Sequence, residues 1–520
     1  MRALLRVAAS FAVAMPVGLP SCSVLDGWFP SERPPRAYSA SRVEPSDFAT
    51  VLPTKPREPE PPPAPATPDP SELASDSTKS GDPIDPEPVL VSTAKETVVY
   101  ARPTTKSPKL GYLRAGAIVS RADKPASFDG CRGGFYEIGP EGYVCAGPAA
   151  TLSRDDLSRA VPRRADRAAP LPYVYGLASP AGSPLYSRIP SDAEQRAAEP
   201  DLASHLAHGG ATSFEAASLD DVPWFLENGA PSIRTNGRRF SADSAELRRA
   251  IPRTGFAFMS LFESGHRRFG LTSDMAVVPL DRFTRVEPSR FHGIPLGDAE
   301  GLPVVFVRSK SAALYAGDPK TKGLTFDRRL EFREAVPITG KRVDVSGTPY
   351  LETRAGEWLV DQNVVRVDPP TSLPGWAEGT RPWIDVSILK QSLVAYVGTH
   401  PVFVTLVSTG ADGTGDPETT HSTIQGQFLI HTKHVTVTMD NDEVGDEFDL
   451  RDVPYVQYFK DGYALHAAYW HDGFGTAHSH GCVNLAPLDA RFLFAWTEPP
   501  VPMAWHGAMS THGTLVSIHP

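Results

Sequence analysis

From about residue 93 onward the chain is written in short runs of β-branched and aromatic residues, each closed off by Gly or Pro. Val98–Arg102, Phe135–Ile138, Gly142–Val144, Gly255–Leu261, Met275–Leu280, Val304–Arg308, Tyr350–Thr353 and Gly356–Leu359 are of this kind. So are Trp383–Ile388, Ser392–Val397, Val402–Ser408 and His434–Thr438. Runs this short, alternating at about every second residue, suit strands that bury one face and are too brief for helices. They predict a mainly β chain, and 520 residues imply several domains. Two segments read as helices. Ser191–Glu199 ends at Pro200, which stops a helix. Pro487–Trp496 has Pro in its first turn and Leu488, Phe492, Leu493 and Trp496 at helical spacing, so these four are expected in a core.

The N-terminal segment is different. Arg2 and Arg6 precede a short apolar stretch, Val7–Val17, which has the form of an export signal and is too short to span a bilayer. Residues 1–21 are read as that signal. Leu19-Pro20-Ser21-Cys22 resembles a bacterial lipobox, with Cys22 as the acylated first residue and Ser23 directing the product to the outer membrane of a Gram-negative cell. Ordinary cleavage to a free periplasmic protein is the alternative. Residues 22–92 carry Pro59, Pro61, Pro62, Pro63, Pro65, Pro68 and Pro70 among polar residues and lack hydrophobic periodicity. That composition suits a disordered, partly polyproline tether, whose 60–70 residues at about 3.1 Å each reach roughly 200 Å at most. The formal charge is −10, with no basic run and no phosphate-cradling glycine motif, so a nucleic-acid partner is not expected.

Near the C-terminus stands Ser479-His480-Gly481-Cys482-Val483-Asn484, with His466 thirteen residues before the serine. A thiol becomes a strong nucleophile when a neighbour takes its proton, and imidazole commonly does so. Glycine before the cysteine permits the backbone conformation an oxyanion-binding loop needs. The same residues allow other readings. His466, His471, His478, His480 and Cys482 form a dense group that a zinc ion could use, although the spacing fits no ordinary zinc pattern. Cys482 alone would read as a buried structural thiol, and His471 and His478 alone as loop or surface histidines.

The motif, with Gly462-Tyr463-Ala464-Leu465-His466, Trp470–Gly475, Trp383–Ser387 and Thr405–Gly410 in the same order, resembles the L,D-transpeptidases of the YkuD type over roughly residues 379–508. The resemblance implies a β-sandwich catalytic domain at 373–520 with a short helix after the cysteine. It implies Cys482 as nucleophile, His466 as base, and the N–H groups of Cys482 and Gly481 as oxyanion donors. Ser479 and His480 would shape the site and orient the imidazole or the acceptor amine, and Tyr463 and Asn484 would brace it. Relatives with a hydroxyl residue after the base histidine orient it that way. Here that position is Ala467, which leaves the orienting group for His466 unassigned, a backbone carbonyl being one option. Arg stands in some relatives where Asn484 stands here, which leaves recognition of the donor carboxylate unassigned.

The implied substrates are peptidoglycan stem peptides, with no cofactor or metal and with carbapenems as covalent inhibitors. Water or a protein lysine could replace the acceptor amine, giving a carboxypeptidase or a protein-attaching enzyme. A wall-binding anchor with an inert domain is the reading from another class. Residues 93–165 and 301–372 resemble bacterial SH3-like modules, and 166–300 is a β-rich region of unclear type. With Cys22 and Cys482 accounted for, Cys131 and Cys145 are expected to pair in the exported compartment.

Overall fold

The computed structural model describes residues 88–520, except 154–163, 208–212, 234–238, 242, 298–300, 322 and 442–447. The export signal, Cys22 and nearly all of the Pro-rich tether lie outside the described residues. The first strand is Val89–Ser92, inside the stretch assigned to the tether. It pairs with Ile118–Ser120 and Ala150–Thr151.

The architecture is mainly β. The C-terminal region is a sandwich. One sheet runs in the order Ile294–Pro295, His400–Leu406, Ser392–Val397, Pro382–Ser387, Leu515–His519, Gly426–Leu429. Opposite it lie Thr432–Asn441, Phe448–Lys460, Tyr463–Ala467 and Val483–Leu485. Ile384, Val386, Leu393 and Ala395 of the first sheet share one apolar core with Val435, Phe459, Leu465, Val483 and Leu485 of the second. Each Val, Leu, Ile or Phe among them contributes about 1.5–3 kcal/mol on full burial.

The accessory regions join this sandwich through strand pairing. Gly255 of the Gly255–Ser264 strand pairs in parallel with Leu450. Gly111 and Tyr112 pair with Ala508 and Gly507. Ile294 and Pro295, from the end of the middle region, pair with Val404 and Phe403 at the edge of the first sheet. Arg114 crosses from the first module to Asp452, Thr436 and His506 at 2.5, 2.9 and 3.0 Å. Cys131 and Cys145 form a disulfide within that first module. Among the described residues no helix is long and apolar enough to cross a membrane.

The predicted helices form at Asp192–Ala198, where Ser191 and Glu194 make a reciprocal cap, and at Pro487–Trp496. The buried face of the second overlaps the expected one only in part, with Leu493 buried as expected and Trp496 partly buried against the core. It carries Asp489, Ala490, Leu493 and Phe494, whereas Phe492 is 40 % exposed and rests on Phe403. The cause is polar. The Asp489 carboxylate accepts the Gly293 N–H at 2.9 and 3.1 Å and the Thr405 hydroxyl at 2.5 Å, which turns that side of the helix inward.

Candidate active site

Two short parallel strands build the site. Tyr463–Ala467 and Val483–Leu485 pair with Leu465 opposite Val483 and His466 opposite Asn484. Leu465 and Val483 point into the sandwich core, while Ala464 and Cys482 belong to a second apolar cluster on the other face. Strand alternation therefore puts Cys482, Asn484 and His466 on one side. Cys482 and His466 are 1 % and 2 % exposed. The Cys482 thiol donates to the carbonyl oxygen of Gly462 at 3.6 Å.

His466 is fixed from two sides. Its Nδ1 lies 3.2 Å from the Ala467 carbonyl oxygen, and its ring packs on Trp470 with centroids 5.7 Å apart. A carbonyl only accepts, so Nδ1 carries the proton and Nε2 is left as the acceptor. Burial lowers the imidazole to about 4, opposed by the Ala467 bond and reinforced by His471. The ring is therefore neutral at neutral pH and able to take a proton.

The loop before Cys482 is braced internally. Gly481 has φ +122°, and a Cβ there would sit 2.8 Å from the Tyr463 ring. Only glycine suits both constraints. The Gly481 N–H donates to Ser479 Oγ at 3.1 Å, and that hydroxyl donates to the Cys482 carbonyl at 2.5 Å. Ser479 thus ties its own turn together, and the Gly481 N–H expected at an oxyanion is already engaged. The Tyr463 hydroxyl donates to the Pro417 carbonyl at 3.3 Å, holding the 411–427 segment over the site. The His480 ring packs between His421, at 4.6 Å, and Phe448, at 4.9 Å.

Asn484 is bound on both its backbone and its side chain. Its N–H and carbonyl exchange hydrogen bonds with Ser408 at 2.8 and 2.9 Å. Its amide lies 2.9 Å from His471 Nε2. His471 Nδ1 accepts the Gly473 N–H at 3.1 Å, and burial lowers this ring to about 4 as well. The neutral ring then carries its proton on Nε2, so the Asn484 amide oxygen belongs against it. That arrangement also gives a partner to Asn484 Oδ1, which is otherwise buried without one. His471, read from sequence as a loop residue, is thus part of the site. His421 and Trp470 also join it; nothing in the sequence marks His421, and Trp470 stood only in the flanking sequence. Among the described residues no three His, Cys, Asp or Glu side chains are grouped to hold a metal ion.

Residues 381–518 match the YkuD family model, described as an L,D-transpeptidase catalytic domain. Every residue around Cys482 described above lies inside that match. A comparison with curated proteins found no match. Among solved structures, a cysteine-to-serine mutant of an Enterococcus faecium L,D-transpeptidase is 21 % identical over 27 % of this chain and 50 % of its own, with a TM-score of 0.21. The chain therefore spans half the length of that protein. An L,D-transpeptidase from Mycobacterium smegmatis is 17 % identical over 45 % of this chain and 99 % of its own, with a TM-score of 0.22. The LD transpeptidase LdtMt1 in complex with imipenem is 18 % identical over 45 % and 100 %, with a TM-score of 0.21.

Proposed function

We propose that the YkuD L,D-transpeptidase catalytic domain at residues 381–518 cross-links peptidoglycan through a thioester on Cys482. The thiol proton passes to His466 Nε2 as sulfur attacks the carbonyl between the third stem residue and D-Ala. The C–N bond breaks, the proton goes to the departing amine, and D-Ala leaves. The side-chain amine of a neighbouring stem then attacks the thioester, forming a 3→3 cross-link and restoring the thiol. The Cys482 N–H serves the oxyanion. Thiol, imidazole and backbone donors suffice for this chemistry, so no cofactor is invoked.

The observation that carries the reading is the paired Tyr463–Ala467 and Val483–Leu485 strands, which put His466 on the Cys482 side with its Nε2 unprotonated. We further propose an exported protein held to the outer membrane by lipidated Cys22, with SH3-like modules at 93–165 and 301–372. The Cys131–Cys145 disulfide is consistent with an oxidising compartment. A carbapenem would acylate the same thiol.

The test is incubation of the protein with disaccharide-tetrapeptide muropeptides, with products read by mass spectrometry beside Cys482→Ala. A dimer lacking one D-Ala, absent in the variant, is the expected product. Loss of D-Ala without a dimer would replace the acceptor amine by water. Wall binding with no turnover would favour the anchor.

A further inference from the structure

The segment between His466 and Cys482 is held from outside the sandwich. Asp472 accepts from Arg333 Nη2 at 2.6 Å and Nη1 at 3.0 Å, and Nη1 also donates to the Asp472 carbonyl at 2.8 Å. The Ser289 hydroxyl donates to the same carboxylate. Arg308 donates to the Gly475 carbonyl, and a Cβ at Gly475 would lie 2.5 Å from its Nη1. The two arginines are placed together by backbone bonds. The Arg333 N–H donates to the Val307 carbonyl at 2.8 Å, and the Val307 N–H donates to the Glu334 carbonyl at 3.0 Å.

Arg333 adopts φ +65°, unusual for a side chain of this size. Its guanidinium lies 4.9 Å above the Phe291 ring and its side chain is nine-tenths buried. An exposed ion pair adds little to stability, and the Asp472 side chain is more than half exposed. The geometry here is more specific than a charge pair. One planar fork grips both the carboxylate and the backbone of residue 472. On the inner side of the same loop, Trp470 packs on His466, and His471 meets Asn484, two residues beyond Cys482.

We propose that Arg333 is a positioning residue for the reaction at Cys482, acting through Asp472 on the Trp470–His471 segment, with Arg308 as a second hold. The proposal rests on Cys482 being the nucleophile. Residues 301–372 therefore serve the catalytic domain directly, besides any contact with the wall. Loss of the fork lets Trp470 and His471 shift, and His466 with them.

The test compares full-length Arg333→Ala and Arg333→Lys, with Arg342→Ala as a control in the same module. Two readouts are needed: muropeptide turnover, and the pH profile of Cys482 alkylation by iodoacetamide. A misplacement of about 1 Å by a change far from the chemistry can cost roughly 10²-fold in rate, so a smaller shift here is expected to cost about tenfold. Both Arg333 variants should lose about that much in kcat, with KM and Tm close to wild type and a slowed alkylation at neutral pH. Lysine keeps the charge but not the fork, so it should not rescue. Wild-type kcat and alkylation in Arg333→Ala, full rescue by lysine, or the same loss in Arg342→Ala would each overturn the proposal. If wild-type protein gives no muropeptide product yet Arg333→Ala still slows alkylation, the substrate assignment fails and the positioning role stands.

Discussion

His466 Nδ1 sits 3.2 Å from the carbonyl oxygen of Ala467, the residue that follows it in the chain. A backbone carbonyl thus does for this imidazole what a hydroxyl or carboxylate does elsewhere: it fixes the tautomer and leaves Nε2 as a base. His466→Ala should lower muropeptide turnover by roughly 10²-fold or more, the usual loss for a general base. Ala467→Ser keeps the carbonyl and should retain most of the rate. A near-normal rate in His466→Ala would move the base role to His480.

Gly481→Ala places a methyl group against the Tyr463 ring at a φ of +122°. Strained backbone of this kind costs about 1–3 kcal/mol. The variant should melt lower and lose turnover together, because the Ser479–Cys482 turn cannot close. Unchanged Tm and turnover would show that the turn tolerates a side chain.

Stability should fall in mild acid. Burial holds His434, His466 and His471 each at about 4, below the usual histidine value of 6.5. As pH drops from 6.5 towards 4 the unfolded chain binds protons that the folded rings refuse, so stability present above 6.5 is lost across that window. Asp489 acts in the opposite sense. Burial raises its carboxyl to about 6, so the folded state takes up that proton first and gains stability as pH falls through 6. Three rings outweigh one carboxyl. Urea denaturation at pH 5 should give a stability lower than at pH 7 by on the order of 3 kcal/mol. A flat or rising profile would contradict the burial of these rings.

Lys433 is fully buried, and its ammonium donates to the carbonyls of Phe494 and Thr497 at 2.7 Å and to the Thr497 hydroxyl at 3.0 Å. It closes the C-terminal end of the helix that follows the Cys482 strand. Lys433→Met leaves those acceptors without this donor in the interior and should cost about 3 kcal/mol. Thermal melting checks this, and an unchanged Tm would contradict it.

The strands with clean alternation, such as Ser392–Val397, stand where the sequence pattern places them. Phe448–Lys460, the longest strand of the sandwich, was not legible. Pro454 lies within it, and Asp452 and Tyr455 take positive φ there, so its pattern is broken where the strand bends. Cys482, His466 and Gly481 stand out in the sequence because the motif that carries them is local, and the paired strands bring Cys482 and His466 to one face. His471 and the Arg333–Asp472 hold do not stand out, since each depends on a contact made by folding. Arg333 and Asp472 are 139 residues apart, with no periodicity linking them. The helix face was legible only in part: Leu493 is buried as its spacing suggests, while a buried carboxylate, Asp489, turns the face away from Phe492.

Removing the Cys131–Cys145 disulfide, which closes a separation of 14 residues, should cost about 3 kcal/mol in the chain-entropy view. Because the bond lies in the first module, turnover per folded molecule should persist in the double serine variant. Loss of turnover at full folding would link that module to catalysis.

In the reaction proposed above, Cys482 carries the acyl group. Intact mass spectrometry of the protein quenched in acid during turnover tests it most directly. The wild type should show a mass increase equal to the donor muropeptide less D-Ala, mapped to Cys482 and absent from Cys482→Ala. An adduct on both proteins, or turnover by Cys482→Ala, would contradict it.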